Sequence, residues 1–260
     1  MLFRSLSLRG GAHYNYYHSF ADKAALYDWL HSLGLTAAPL APGATASGGV
    51  LDWLGYVVHA DRGNLAGSNV ADVANSIINM IGTAVIIVVI LLSPKLSQRF
   101  GKKNIAVVGF ALTTVMSAAL YFVAPTNVGG MLLMTVLWSL VYAPTIPLIW
   151  AMFADVADYS EWKNGRRATG IVFATICFAL KAGLSIGSAS LLWLLGMYGY
   201  AANQPQTART LEGIRMCSSI YVAIPFAVCT VLLIVYKINQ RLTHQIADEL
   251  AERREKFAAA

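Results

Sequence analysis

The chain has 260 residues, 57% hydrophobic and only 12% charged, with a formal net charge of +6 and a mean hydropathy of +0.58. Soluble domains carry about 25% charged residues, so this is a membrane composition. The basic residues fall in short clusters between apolar stretches rather than along one soluble face, which argues against nucleic acid as a partner despite the positive charge. The three cysteines, Cys177, Cys217 and Cys229, lack metal-binding spacing and read as small buried hydrophobes, with no disulfide or zinc site implied.

Six spans are predicted, over residues 2–20, 69–92, 104–123, 130–153, 169–195 and 216–236; all but the first are strong on length and hydropathy alone. The first starts abruptly, and residues 1–12 hold Arg4, Arg9 and two glycines without a continuous apolar core, so they do not read as a cleaved leader. Within it Arg9, His13 and Tyr17 step by four and share a helix face. A guanidinium offers a planar fork of donors for hydroxyls or carboxylates, and aromatic rings stack on the apolar faces of sugars. Tyrosine clusters also mark the membrane interface.

Residues 21–68 form the one long extramembrane segment. Leu26, Trp29, Leu30 and Leu33 recur at helical spacing, a Pro, Gly and Ala-rich turn region follows at 36–49, and a second apolar piece lies near 50–58. This is expected to be a hairpin lying over the outer mouth, with Trp29 as an interfacial anchor. The second span then carries a polar stripe, Ser68, Asp72, Asn75, Ser76 and Asn79, in steps of three and four. Such a face lines a wet cavity or glues helices by hydrogen bonds; it does not face lipid. In the fourth span Pro144 and Pro147 remove backbone donors and should bend the helix.

The inner connectors and the tail hold Lys95, Arg99, Lys102, Lys103, Lys163, Arg166, Arg167, Lys237, Arg241, Arg253, Arg254 and Lys256, twelve of the nineteen lysines and arginines. All fall on one side if six helices alternate, and the positive-inside rule makes that side cytoplasmic. The first span must then start in the cytoplasm too, so the N-terminus reads as a cut end. The expected organisation is a first transmembrane helix at 1–20, an extracytoplasmic hairpin insertion at 21–68, five transmembrane helices over 69–237 and a cytoplasmic tail at 238–260.

Where the fourth span leaves the bilayer, Asp155 and Asp158 project from one face and Glu161 extends it by a turn, with Arg166 and Arg167 close behind. Carboxylates at a helix C-terminus meet an unfavourable macrodipole and need cationic partners, which suggests an ionic gate rather than a solvated helix end. In the fifth span Lys181 lies about 12 to 14 residues from either end, roughly 18 to 21 Å of helix, too deep to snorkel. Placing an ammonium there costs on the order of 3 kcal/mol unless it borders a polar cavity or a partner.

The run Ala154-Asp155-Val156-Ala157-Asp158-Tyr159-Ser160-Glu161-Trp162-Lys163, with Arg167, Leu180-Lys181-Ala182-Gly183, Tyr16-Tyr17-His18-Ser19 and Pro94-Lys95-Leu96, resembles the C-terminal half of the glycoside-pentoside-hexuronide:cation symporter family, the melibiose permease type. The resemblance implies an all-α, six-helix half of a major-facilitator-like fold, sugar bound near the midplane, and uptake coupled to Na⁺ or H⁺. It places Lys181 in the sugar and cation cavity and Asp155, Asp158 and Arg167 in the inner gate. Two departures follow. The family's cavity-lining tryptophan falls at Ile146, with Trp150 one turn later, and the acidic residues that hold the coupling cation belong to a first half that this sequence lacks.

The expected function is therefore the C-terminal half of a sugar:cation symporter in the bacterial inner membrane, with Arg9, Tyr17, Asp72, Asn75 and Lys181 along the pathway and Asp155, Asp158, Glu161, Arg166 and Arg167 at the cytoplasmic gate. Its expected partners are sugar, coupling cation, lipid and the missing six-helix half; no catalytic residue, metal or cofactor is expected. Two other readings are an independent half-size subunit that dimerises into a transporter or pore, and a membrane-embedded phosphotransferase built on the paired aspartates. The second lacks the longer acidic array that chemistry needs.

Overall fold

The computed structural model describes residues 2–39, 49–65, 67–165, 168–201, 204–238 and 240–258. Arg166 and Arg167 of the expected gate lie outside the described residues. The chain opens with α1 (Leu2–Asn15), which continues as a π-helical turn, Tyr16–Phe20. The outer insertion contains α2 (Lys23–Ser32), β1 (Thr36–Ala37), α3 (Val50–Trp53) and β2 (Val58–His59). Five longer helical passages follow: α4 (Val70–Phe100); α5 (Lys102–Ala119) with a 3-10 turn at Leu120–Phe122; α6 (Val128–Tyr142) continuing into α7 (Thr145–Asn164); α8 (Thr169–Met197); and α9 (Ala208–Ser218) continuing into α10 (Ile220–Val235). The tail is a further helix, α11 (Gln240–Ala258).

Among the described residues, five passages are long and apolar enough to cross a membrane: Val70–Phe100, Lys102–Phe122, Val128–Asn164, Thr169–Met197 and Ala208–Val235. With α1 packed against α8, α9 and α10, they form an all-α, six-helix bundle with the insertion packed on α4 and α6. The inner connector expected over 93–103 is mostly helix. α4 runs through Pro94 to Phe100, and the turn is Gly101 alone, at φ 82°, a left-handed conformation that glycine adopts without a Cβ clash. Asn104 donates to the Phe100 carbonyl at 3.1 Å, satisfying one orphan acceptor of the α4 end.

The bend expected from Pro144 and Pro147 is a break between α6 and α7, with Pro144 as the N-cap and Pro147 in the first turn, where a missing N–H costs nothing. The last span breaks as well, at Ser219 (φ −119°, ψ −82°), where its hydroxyl donates to the Arg215 carbonyl at 2.6 Å. At the centre of the bundle Trp138 stacks on Tyr142 (4.6 Å between centroids), and Phe110 and Phe226 complete the cluster at 6.0 Å from each other. Offset and edge-on arrangements of this kind contribute about 1 kcal/mol per pair beyond area burial.

The insertion is a small folded unit. Leu26 and Leu30 of α2 and Val58 of β2 are fully buried, and α2 packs on α4 and α6. The helical spacing of Leu26 and Leu30 is therefore a buried stripe, whereas Leu33 is exposed. β1 and β2 pair in parallel, Thr36 with Val58 and Ala37 with His59. His59 Nε2 lies 2.7 Å from Asp52 Oδ1, Arg62 donates to both oxygens of Asp28 at 2.6 and 2.8 Å, and Asp22 caps α2 by accepting from the Ala24 N–H at 3.0 Å.

Candidate transport pathway and inner gate

α8 is the most open helix of the bundle. Of its 29 residues only Ile176, Gly187, Leu191 and Leu195 are buried, with Leu191 close against Gly11 of α1. Lys181 is exposed at mid-helix, and among the described residues no carboxylate pairs with it. Cys177, one turn earlier, is exposed too. Facing lipid, a lone ammonium in the middle of an apolar helix costs about 3 kcal/mol.

The α4 stripe is also open. Asp72, Ser76 and Asn79 are exposed and Asn75 is partly so. Asn79 Nδ2 donates to Asn75 Oδ1 and to its carbonyl, both at 2.7 Å, and Thr83 donates to the Asn79 carbonyl at 2.8 Å. Asn75, Asn79 and Thr83 thus hydrogen-bond along their own helix, whereas Asp72 reaches α1. Asp72 opens onto an outer vestibule of about 930 Å³ shared with Tyr14, His18, Lys23, Asn69 and Tyr200. The Tyr14 and His18 rings stack at 5.7 Å on its wall, and the Tyr14 hydroxyl lies beside the Asp72 carboxylate. This size and mix of rings with polar groups suits a polar small molecule. Lys181 is not part of the vestibule lining, and Trp150, the displaced aromatic of the fourth span, is exposed.

Arg9 and Tyr17 lie elsewhere. Both turn into the bundle, Tyr17 fully buried against Tyr16, edge-on at 5.6 Å. The Arg9 guanidinium covers the Trp138 ring at 3.4 Å. They belong to an interior cluster with His13 and Trp138, separate from Asp72 and Asn75. Nothing in the sequence marked Trp138, which sits inside an evenly apolar span.

At the inner side, Lys102 Nζ donates to both Asp155 oxygens, at 2.8 and 2.9 Å. The aspartate side chain is 12% exposed and the lysine 36%, a half-desolvated pair joining α5 to α7. Lys103 donates to the Ile234 and Tyr236 carbonyls at 3.0 and 2.6 Å, a cation at the C-terminus of α10 where the helix dipole favours it. Asp158 and Glu161 are partly exposed on the same stretch of α7. α11 docks there: the Trp162 indole donates to Glu249 at 2.6 Å, Arg253 donates to the Trp162 carbonyl at 3.3 Å, and Ile246 and Leu250 are buried. Lys102 was legible only as a basic connector residue, yet it is the cation that meets Asp155. Among the described residues no group of three or more His, Cys, Asp or Glu is placed to hold a metal.

Residues 46–240 match the family model described as MFS/sugar transport protein. The chain belongs to this family. Its MFS-type relatives include the isoprimeverose transporter of Lactiplantibacillus pentosus, 34% identical over 63% of this chain and 34% of that protein. The inner membrane symporter YicJ of Escherichia coli is 33% identical over 52% of this chain and 29% of its own length. The glucuronide carrier protein homolog of Escherichia coli is 28% identical over 63% of this chain and 36% of its own length. The chain thus spans well under half of the relatives it matches. Family membership and five membrane-length apolar passages among the described residues make it a multi-pass membrane protein of the MFS/sugar transport family, with the six-helix architecture of half such a fold.

Proposed function

We propose that this chain supplies the second six-helix unit of a glycoside, pentoside or hexuronide symporter of the bacterial inner membrane, working by alternating access with Na⁺ or H⁺ as coupling ion and no resident cofactor. The observation that carries it is the open face of α8, with Lys181 exposed at mid-helix. A second six-helix unit laid against that face turns it from lipid toward a solvated route, where the ammonium donates to sugar hydroxyls or balances a carboxylate of the other unit. Asp72 and Asn75 line the outer approach, while Arg9 and Tyr17 support α1 from inside the bundle. Lys102, Asp155, Asp158 and Glu161 form the inner gate, together with Arg166 and Arg167. Relatives named for isoprimeverose and for a glucuronide support a glycoside cargo.

The test is uptake of a radiolabelled sugar panel by the protein together with its complementary unit, in Na⁺ and Na⁺-free buffers. Transport of at least one glycoside, lost in Lys181→Ala, is expected. Near-normal accumulation by that variant would remove Lys181 from the mechanism.

A further inference from the structure

Arg9 is partly exposed as a residue, but its guanidinium is enclosed by the bundle, and the transport reading leaves it without a counter-ion among the described residues. The chain's 13 acidic residues all lie among the described residues, and the ion pairs they make there are with His59, Arg62, Lys102 and Arg215, not with Arg9. Residues 1–8, the nearest in sequence, contain no acid. The guanidinium has instead the Trp138 ring at 3.4 Å and the hydroxyls of Tyr17 and Tyr142 nearby. A stacking contact offsets only part of the cost of desolvating an ion, and buried charges are otherwise found paired.

Beside the guanidinium is a cavity of about 10 Å³, lined among others by Arg9, His13, Ser117, Thr135, Trp138 and Ser218, with room for one water-sized species. Its polar inventory is unbalanced. Thr135 and Ser218 spend their protons on backbone carbonyls, at 3.0 Å to Met131 and at 3.0 and 2.9 Å to Ala12 and Ile214. Ser117 accepts from the Trp138 indole at 3.2 Å, which leaves its own proton available. His13 is 7% exposed and, among the described residues, makes a ring contact with Tyr17 but no hydrogen bond. The available donors are the Arg9 fork, a His13 ring N–H and the Ser117 hydroxyl, and the acceptors facing them, the Thr135 and Ser218 oxygens and the second His13 nitrogen, are all neutral. A surplus of donors around one cation selects a negative ligand.

We propose that this cavity binds one small monovalent anion, chloride under physiological conditions, held by Arg9, His13 and Ser117, and that it fixes α1 against α5 and α6. The cavity is too small for a sugar carboxylate with its ring, so the ligand is distinct from the transported solute.

The experiment uses the purified chain in detergent with Cys177→Ser, so that a thiol-reactive fluorophore reports unfolding through buried Cys217 and Cys229. Sodium chloride or bromide is titrated against sodium gluconate at constant ionic strength. The expected result is a saturable rise in melting temperature, roughly 3 to 6 °C at ten times Kd, weakened about tenfold in half-saturation by Ser117→Ala and abolished in Arg9→Gln. A crystal grown in bromide should show one anomalous peak between Arg9 and Ser117. Equal melting in chloride and gluconate, a halide shift unchanged by Ser117→Ala, or a water without anomalous signal in the cavity would overturn the proposal. If Arg9→Gln does not fold, the wild-type titration, Ser117→Ala and the bromide peak still decide.

Discussion

Lys102 and Asp155 tie the first turn of α5 to the middle of α7 through two contacts of 2.8 and 2.9 Å. A lysine at a helix N-terminus opposes the dipole of its own helix, so its position is explained by the carboxylate it reaches rather than by α5. Because Lys102 is 36% exposed, solvent screening reduces the pair to about 1–2 kcal/mol, between the exposed and the buried cases. A double-mutant cycle on thermal unfolding with Lys102→Ala and Asp155→Ala should return a coupling of that size. The charge swap Lys102→Asp with Asp155→Lys should recover part of what either single reversal loses. A coupling near zero would show that the two side chains act independently.

The tail helix is held by the Trp162 indole and carbonyl, which meet Glu249 and Arg253, and by the buried Ile246 and Leu250. Glu249 is kept below the usual carboxylate range first by the Trp162 indole and then by Gln245. A depressed carboxylate contributes docking that is present above its unfolded value and is lost as pH falls through the folded one. Trypsin cleavage after Arg241 should be slow at neutral pH and faster in Glu249→Ala, by about three- to tenfold if docking governs exposure. Leu250→Asp should release α11 outright, since it places a charge on a side chain that is 4% exposed. Cleavage rates indifferent to both changes would mean that α11 does not depend on this contact.

Hydropathy and charge asymmetry disclosed the bundle because each spanning helix must satisfy its backbone internally and bury an apolar surface. They could not disclose where helices end or break. The apolar run of α4 stops near residue 92, but the helix continues to Phe100 because Pro94 and the charged turns that follow lie beyond the apolar stretch, where water can satisfy freed groups. The break at Ser219 has no glycine or proline at the break itself to announce it. At the candidate site, Asp72, Asn75 and Lys181 were legible because polarity in an apolar helix is conspicuous. Lys102 and Trp138 were not, since a lysine beside a membrane and a tryptophan within it are each common, and their partners are 53 residues and 129 residues away in the chain.

The three thiols offer a test of the open face. Cys177 is exposed on α8, whereas Cys217 and Cys229 are buried. In the folded protein a maleimide should modify one thiol per chain, and Cys177→Ser should abolish labelling until denaturant is added. If α8 borders a solvated route in the assembled transporter, Cys177 should still react in membranes, and more slowly with substrate present. Full protection from a small water-soluble reagent in the assembled state would place α8 against packed protein or lipid.

His59 makes the outer insertion sensitive to pH. Its ring joins three pieces of the insertion, with Nε2 2.7 Å from Asp52 on α3 and Nδ1 3.2 Å from the Ala38 carbonyl after β1. The hydrogen bond to Asp52 is the largest cause raising the imidazole above its usual value, with the Ala38 carbonyl adding to it. A group whose folded pKa is raised contributes stability that is fully present below its unfolded value, about 6.5, and is lost as pH rises through the folded value. Amide exchange at residues 52–60 should therefore be slower near pH 5.5 than near pH 8, beyond the intrinsic pH dependence of exchange. His59→Gln should flatten the difference, because a neutral amide can still accept or donate but cannot gain charge. Asp52→Asn should flatten it too, and the same residual slope in both variants would identify the pair as the titrating unit. Exchange that follows only the intrinsic pH dependence in the wild type would show that the insertion is held by Leu26, Leu30 and Val58 alone.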